Sequence, residues 1–171
     1  MMGPVSSRRY RLPTAGQQGV ALVVGLILLL VLTLIGLTSM RSAVMEERMA
    51  GHFRDRDLAL QAAEAALRDA EAFIVGNAIT EGSGGVYNGS NGLLGRTDEE
   101  PDYLSMIWDD SNSRFRSFPR VSQNPRYVIK MLDKTTSGGQ TITIFRITAR
   151  GVGRNPNTRV FVQSTYQRTG N

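Results

Sequence analysis

Charge is absent from residues 20–40, and from Val20 to Leu37 Thr33 is the only polar side chain. A helix over residues 20–40 rises roughly 32 Å, enough for the ~30 Å hydrocarbon core of a bilayer. A buried core helix is the other reading of such a run. A small domain cannot easily enclose a helix that is apolar on every side, so a membrane span is preferred. The pattern then changes. Residues 41–75 contain no proline and are rich in Ala, Glu, Arg and Leu, which are strong helix formers. Phe53, Leu60, Leu67 and Ile74 recur every seven residues, with Ala63 and Ala70 at i+3 spacing between them. This is an apolar stripe on one helix face. One helix is therefore expected from about residue 20 to 75, roughly 84 Å long. Its second half is expected to bury the stripe against a domain. A coiled coil would leave the same heptad trace, but only about three heptads are present.

Regular pattern disappears over residues 76–118. The stretch EGSGGVYNGSNGLLG is turn chemistry. A loop of this length in a small domain is usually functional or disordered. Asn88-Gly89-Ser90 matches a glycosylation acceptor and is read here as a turn. Residues 119–171 change period again. RYVIKMLDK, TITIFRITARG and TRVFVQSTY are rich in β-branched and aromatic residues, with turns at Ser137-Gly138-Gly139 and Asn155-Pro156-Asn157. The expected class is α+β, a long N-terminal helix on an antiparallel sheet of three to four strands.

The net charge of +5 over 171 residues conceals a polarity along the chain. Residues 76–113 carry a net −6 and residues 114–171 a net +10. The loop can fold over the sheet and neutralise it, or an acidic patch can meet a basic patch on a neighbouring subunit, which sets register and partner choice. Nucleic acid on the basic sheet ranks behind both, because half of a strand's side chains face the core. Asp98, Glu99, Glu100 and Asp102 form the densest acidic group, but their spacing matches no EF-hand loop. A solvated acidic loop is preferred to a calcium site.

No catalytic constellation is legible. His52 is the only histidine and has no triad or zinc partner in the pattern, so it reads as a surface helix residue. There is no cysteine, hence no disulfide and no thiolate metal site. No P-loop lysine follows the glycine-rich stretch. A non-enzymatic chain without cofactor or metal is expected.

The N-terminus favours a particular kind of anchor. Arg8, Arg9 and Arg11 precede the apolar run without an acidic residue, which places that end in the cytoplasm and the rest beyond the membrane. A secretory signal fits poorly, since the run is long and LTSMRSA lacks a good small-residue cleavage pattern. A plain uncleaved anchor and a prepilin leader remain.

The stretch AGQQGVALVVGLILLLVLTLIGL resembles the type III signal of type IV prepilins and pseudopilins, in which a basic leader ends in glycine and an apolar segment begins at once. The stretch SMRSAVMEERMAGHFRDRDLALQAAEAALRDAEAFI and the closing RITARGVGRNPNTRVFVQSTYQR are similar to the PilX family of minor pilins. The resemblance implies a leader at residues 1–19, prepilin peptidase cleavage between Gly19 and Val20, and N-methylation of Val20. It implies a membrane-spanning half-helix at 20–40 and an amphipathic half at 41–75. The acidic loop region at 76–118 and the sheet at 119–171 then complete a pilin-like fold. It further implies a bacterial inner-membrane protein with a periplasmic domain, later part of the pilus. Implied partners are other minor pilins, the major pilin, the peptidase and the assembly platform, with a tip adhesin as a further candidate. One position departs from the pattern. Pilins usually carry glutamate at the fifth mature residue, and Val24 stands there. That carboxylate neutralises a neighbour's amino terminus inside an apolar filament core, where an unpaired charge is costly. A subunit with no neighbour ahead of it needs it less. The expected role is therefore initiation and capping of the filament, and so twitching motility or adhesion. A type II secretion pseudopilin and an uncleaved membrane-anchored sensor domain are the alternatives.

Overall fold

In the computed structural model residues 18–170 are described. Helix α1 spans Gln18–Gly76, 59 residues. The strands are β1 (Leu93–Leu94), β2 (Arg114–Phe115), β3 (Arg126–Ser137), β4 (Gln140–Val152) and β5 (Arg159–Gly170). The described chain divides into two compact units, the first ending at Arg48 and the second beginning at Met49.

In the first unit the large apolar side chains between Val20 and Met40 are 44–72% exposed. This segment is long and apolar enough to cross a membrane, and none of it is buried within the protein. Its hydroxyls are satisfied locally. Thr33 donates to the carbonyl of Leu30 at 2.7 Å, Thr38 to that of Ile35 at 2.8 Å and Ser39 to the same carbonyl at 3.0 Å. Returning each hydroxyl to the helix removes its cost in lipid.

In the second unit β3, β4 and β5 form an antiparallel meander, and β4 pairs with β5 without interruption from Thr141↔Gly170 to Val152↔Arg159. The β3–β4 hairpin closes on Gly138 and Gly139, with φ of 59° and 82°. A two-residue turn with positive φ at both positions matches the strand twist, and glycine meets it without strain. Two short strands from the loop region add to β3. β2 is antiparallel to it, whereas β1 runs parallel, Leu93 opposite Ile129. The sheet is thus mixed, with a meander as its body.

One face of the sheet holds Tyr127, Ile129, Met131, Phe145, Ile147 and Ala149, which bury with Ala66, Ala70 and Ile74 of α1. The buried helix face is largely alanine: Ala59, Ala62, Ala63, Ala66 and Ala70 are all fully covered. Alanine lets the helix approach closely, and at Gly151 the approach reaches backbone against backbone. A Cβ there would collide with the carbonyl oxygen of Ala59 and lie 2.6 Å from the amide nitrogen of Ala63. The helix ends against β5, where the Arg168 guanidinium donates to the carbonyls of Ile74 and Asn77. The last turn of α1 has no basic residue of its own, so Arg168 supplies the cation that its C-terminal carbonyls favour.

The expected stripe needs correction. Ile74 is fully buried and Leu67 half-buried, but Leu60 is 38% and Phe53 72% exposed. A heptad spacing falls about 20° short of whole turns on a straight α-helix. Over three heptads the stripe rotates by roughly 60° and leaves the buried face at its N-terminal end. The alanines at i+3 and i+4 follow that face, and the heptad residues do not.

Candidate functional site

The other face of the sheet answers the question posed by the charge polarity. Loop residues fold over it around Trp108, which clusters with Leu94 and Val128 and is flanked by Tyr103, Met106 and Phe161. The basic side chains of this face point into the acidic loop. Lys130 is buried, and its ammonium donates to the carbonyls of Gly95 at 2.6 Å, Arg96 at 3.1 Å and Asp98. Arg146 meets Glu100 at 2.8 Å and Arg126 meets Asp110 at 2.6 Å. Arg150 lies over the Trp108 ring and donates to Gln123, and burial holds its pKa below the ordinary arginine value. Two of the loop's seven acids, Glu100 and Asp110, are thus paired with cations of the chain's own sheet, while Lys130 is held by loop carbonyls.

The acidic group 98–102 is divided among these tasks. Asp98 accepts the amide of Gly95 at 2.7 Å, Glu100 takes Arg146, and Asp102 caps its own turn. The Asp102 carboxylate accepts the Leu104 amide and the Ser105 hydroxyl, which hold it below the usual carboxylate range. Among the described residues no group of three or more His, Cys, Asp or Glu converges as metal ligands would. His52 is exposed on α1.

Burial raises Tyr103 and Tyr127 above the ordinary phenol value and pushes Tyr87 up to about 12. Tyr87 and Tyr127 are core residues and Tyr103 is half-buried beside Trp108, and all three phenols are neutral at any ordinary pH. Their positions are structural, with the Tyr87 ring tilted against that of Phe145, centroids 5.2 Å apart.

Three features face outward. The braced turn after Asp102 presents Leu104 and Ile107, which are 76% and 75% exposed, while Trp108 anchors it by donating its indole N–H to the Tyr103 carbonyl at 3.1 Å. An open groove of about 570 Å³ is lined by His52, Arg54, Asp55 and Arg154. At its base Asp55 accepts the amides of Arg154 at 2.6 Å and Asn155 at 3.3 Å, clamping the β4–β5 turn to the helix. A second groove of about 370 Å³ is lined by Phe53, Arg56, Asp57, Leu60 and Val160.

Of the residues singled out from the sequence, Gly19, Val20 and Val24 lie within α1, with Val20 and Val24 exposed on it. Residues 1–17 of the expected leader lie outside the described residues. The Lys130 cage and the Trp108 cluster were not foreseen. The signal for both was a lone tryptophan inside a polar loop and a lysine at the centre of an apolar strand, YVIKML.

Two family models match this chain. The PilX N-terminal model covers residues 18–68, and the model for the type IV pilus assembly protein PilX C-terminal region covers residues 77–168. The chain belongs to the PilX family of type IV pilus minor pilins, structural components of the pilus. No curated protein and no solved structure matches it. Family and apolar helix together make it a membrane-anchored, pilus-associated protein.

Proposed function

We propose that this chain is the minor pilin that starts the filament and remains at its tip. The observation that carries the reading is Val24. Five residues into the proposed mature chain there is no carboxylate, and the first acidic residue after Gly19 is Glu46. A shaft subunit needs a carboxylate to neutralise the amino terminus of the subunit ahead of it in an apolar core. The first subunit has none ahead. In this reading the peptidase cuts between Gly19 and Val20 on the cytoplasmic side, Val20 is methylated, and residues 20–40 hold the protein in the inner membrane with its domain in the periplasm. Extraction into the filament exchanges lipid for the helices of other pilins, with which Ala21 and Gly25 permit close approach. The domain engages the other minor pilins, and the platform polymerises the major pilin beneath them.

Gold labelling of an epitope appended after Asn171 tests the position. Label at one end of each sheared filament supports the tip. Label scattered along the shaft overturns it. The C-terminal family match, to a pilus assembly protein, favours the pilus over a type II secretion machine.

A further inference from the structure

The two edges of the sheet are unlike. On one side β3 is covered by the short strands β1 and β2. On the other, β5 pairs with β4 alone among the described residues, leaving a strand of 12 residues with an open outer edge. Natural proteins blunt such edges with charge, proline or a bulge. Here the pairing with β4 runs without a bulge, and residues 160–167, VFVQSTYQ, contain no charge and no proline. An unprotected edge of this length invites another strand.

The helix beside the edge carries the second observation. Val160 and Val162 stand opposite Gly151 and Ala149, so they share the face on which α1 lies. Next to Val160, the second groove is lined by Phe53 and Leu60, the two stripe residues that the sheet leaves uncovered. The apolar surface of the helix thus continues past the last strand. One further strand would pair with β5 and place alternate side chains under Phe53 and Leu60, because successive side chains alternate between faces.

We propose that β5 and this groove receive an extended segment from a different pilin of the same filament, completing the sheet as an added strand. This rests on the chain's acting as a pilus subunit. Only an extended chain satisfies the outward amides and carbonyls of a strand edge. The segment carries apolar residues at every second position toward the helix. It carries an acidic residue at the end that meets Arg159, which is exposed at the start of β5, whereas Arg168 is turned to the end of α1 and β5 has no acid. That asymmetry disfavours a second copy of this chain, whose β5 would bring two more arginines and no carboxylate.

The test is hydrogen exchange on the full-length chain in detergent, alone and in the complex obtained by co-expressing it with the remaining pilins of its pilus. The expected result is that amides at alternate positions of β5 slow by about tenfold or more in the complex, together with one extended segment of a partner pilin. Phe53→Glu and Leu60→Glu should abolish that protection while leaving the thermal transition of the isolated chain in place. Leu104→Glu should leave the protection intact. Co-purification with β5 still exchanging freely overturns the added strand while leaving the pilus role standing. Protection lost in Leu104→Glu but kept in Phe53→Glu also overturns it. Protection of β5 in the chain alone, rising with its concentration, shows self-pairing and overturns the choice of partner. Failure to associate with any pilin removes both this inference and the function on which it rests.

Discussion

Gly151 on β4 lies against the carbonyl of Ala59 on α1, leaving no room for a side-chain atom between the two backbones. This contact sets how closely the helix approaches the sheet, and the alanine face on either side depends on it. Gly151→Ala is expected to destabilise the domain by about 1–3 kcal/mol through overpacking. Thermal unfolding of the full-length protein in detergent reads the change. The same substitution at Gly138, where nothing crowds the position, should disturb the hairpin turn and leave the helix contact intact.

Asp55 supplies a pH dependence of definite sign. The Thr158 hydroxyl is the largest influence holding its carboxyl below the ordinary value of 3.8, and the amides of Arg154 and Asn155 add to it. A folded-state pKa below the unfolded one means that the stabilisation is complete above the unfolded value. It is lost as pH falls through the folded value. Asp55→Asn should therefore lower stability near neutrality, and the difference from the native chain should shrink below about pH 4. Unfolding followed at several pH values checks this.

The rotation of the heptad stripe predicts an unusual order of truncation costs. Ile74→Ala should cost about 2–4 kcal/mol, because the side chain is fully enclosed between α1 and the sheet. Phe53→Ala removes a larger side chain but should change stability by less than about 0.5 kcal/mol. Its effect should appear in assembly instead. Denaturant titrations of both variants settle the order.

Lys130 holds the acidic loop to the sheet through three carbonyls. Lys130→Met keeps the stem but leaves those acceptors without their donor. A loss of about 2 kcal/mol or more is expected. Limited proteolysis should find the loop from Gly95 to Glu100 cut faster, while β4 and β5 stay protected.

Much of this architecture was legible in the sequence, and the failures have physical causes. The helix, the meander and the glycine hairpin follow from period and turn chemistry, which are local. Phe53 was misjudged because a heptad and a straight helix differ by a small angle that accumulates. The loop was read as turn chemistry because its anchoring depends on distant residues. Trp108 finds Val128 and Phe161 only once the sheet exists, and Lys130 finds its carbonyls only once the loop has folded. Parallel pairing of β1 is equally non-local, since two residues carry no period. At the N-terminus, the roles proposed for Gly19, Val20 and Val24 rest on their order in the sequence and not on the fold.

Incorporation into the filament, as proposed, requires that this chain first be processed as a prepilin. Mass spectrometry of the chain recovered from sheared pili tests it most directly. The expected result is an N-terminal peptide that begins at Val20 and carries a methyl group on its amine. A recovered chain that still contains residues 1–19 would contradict it.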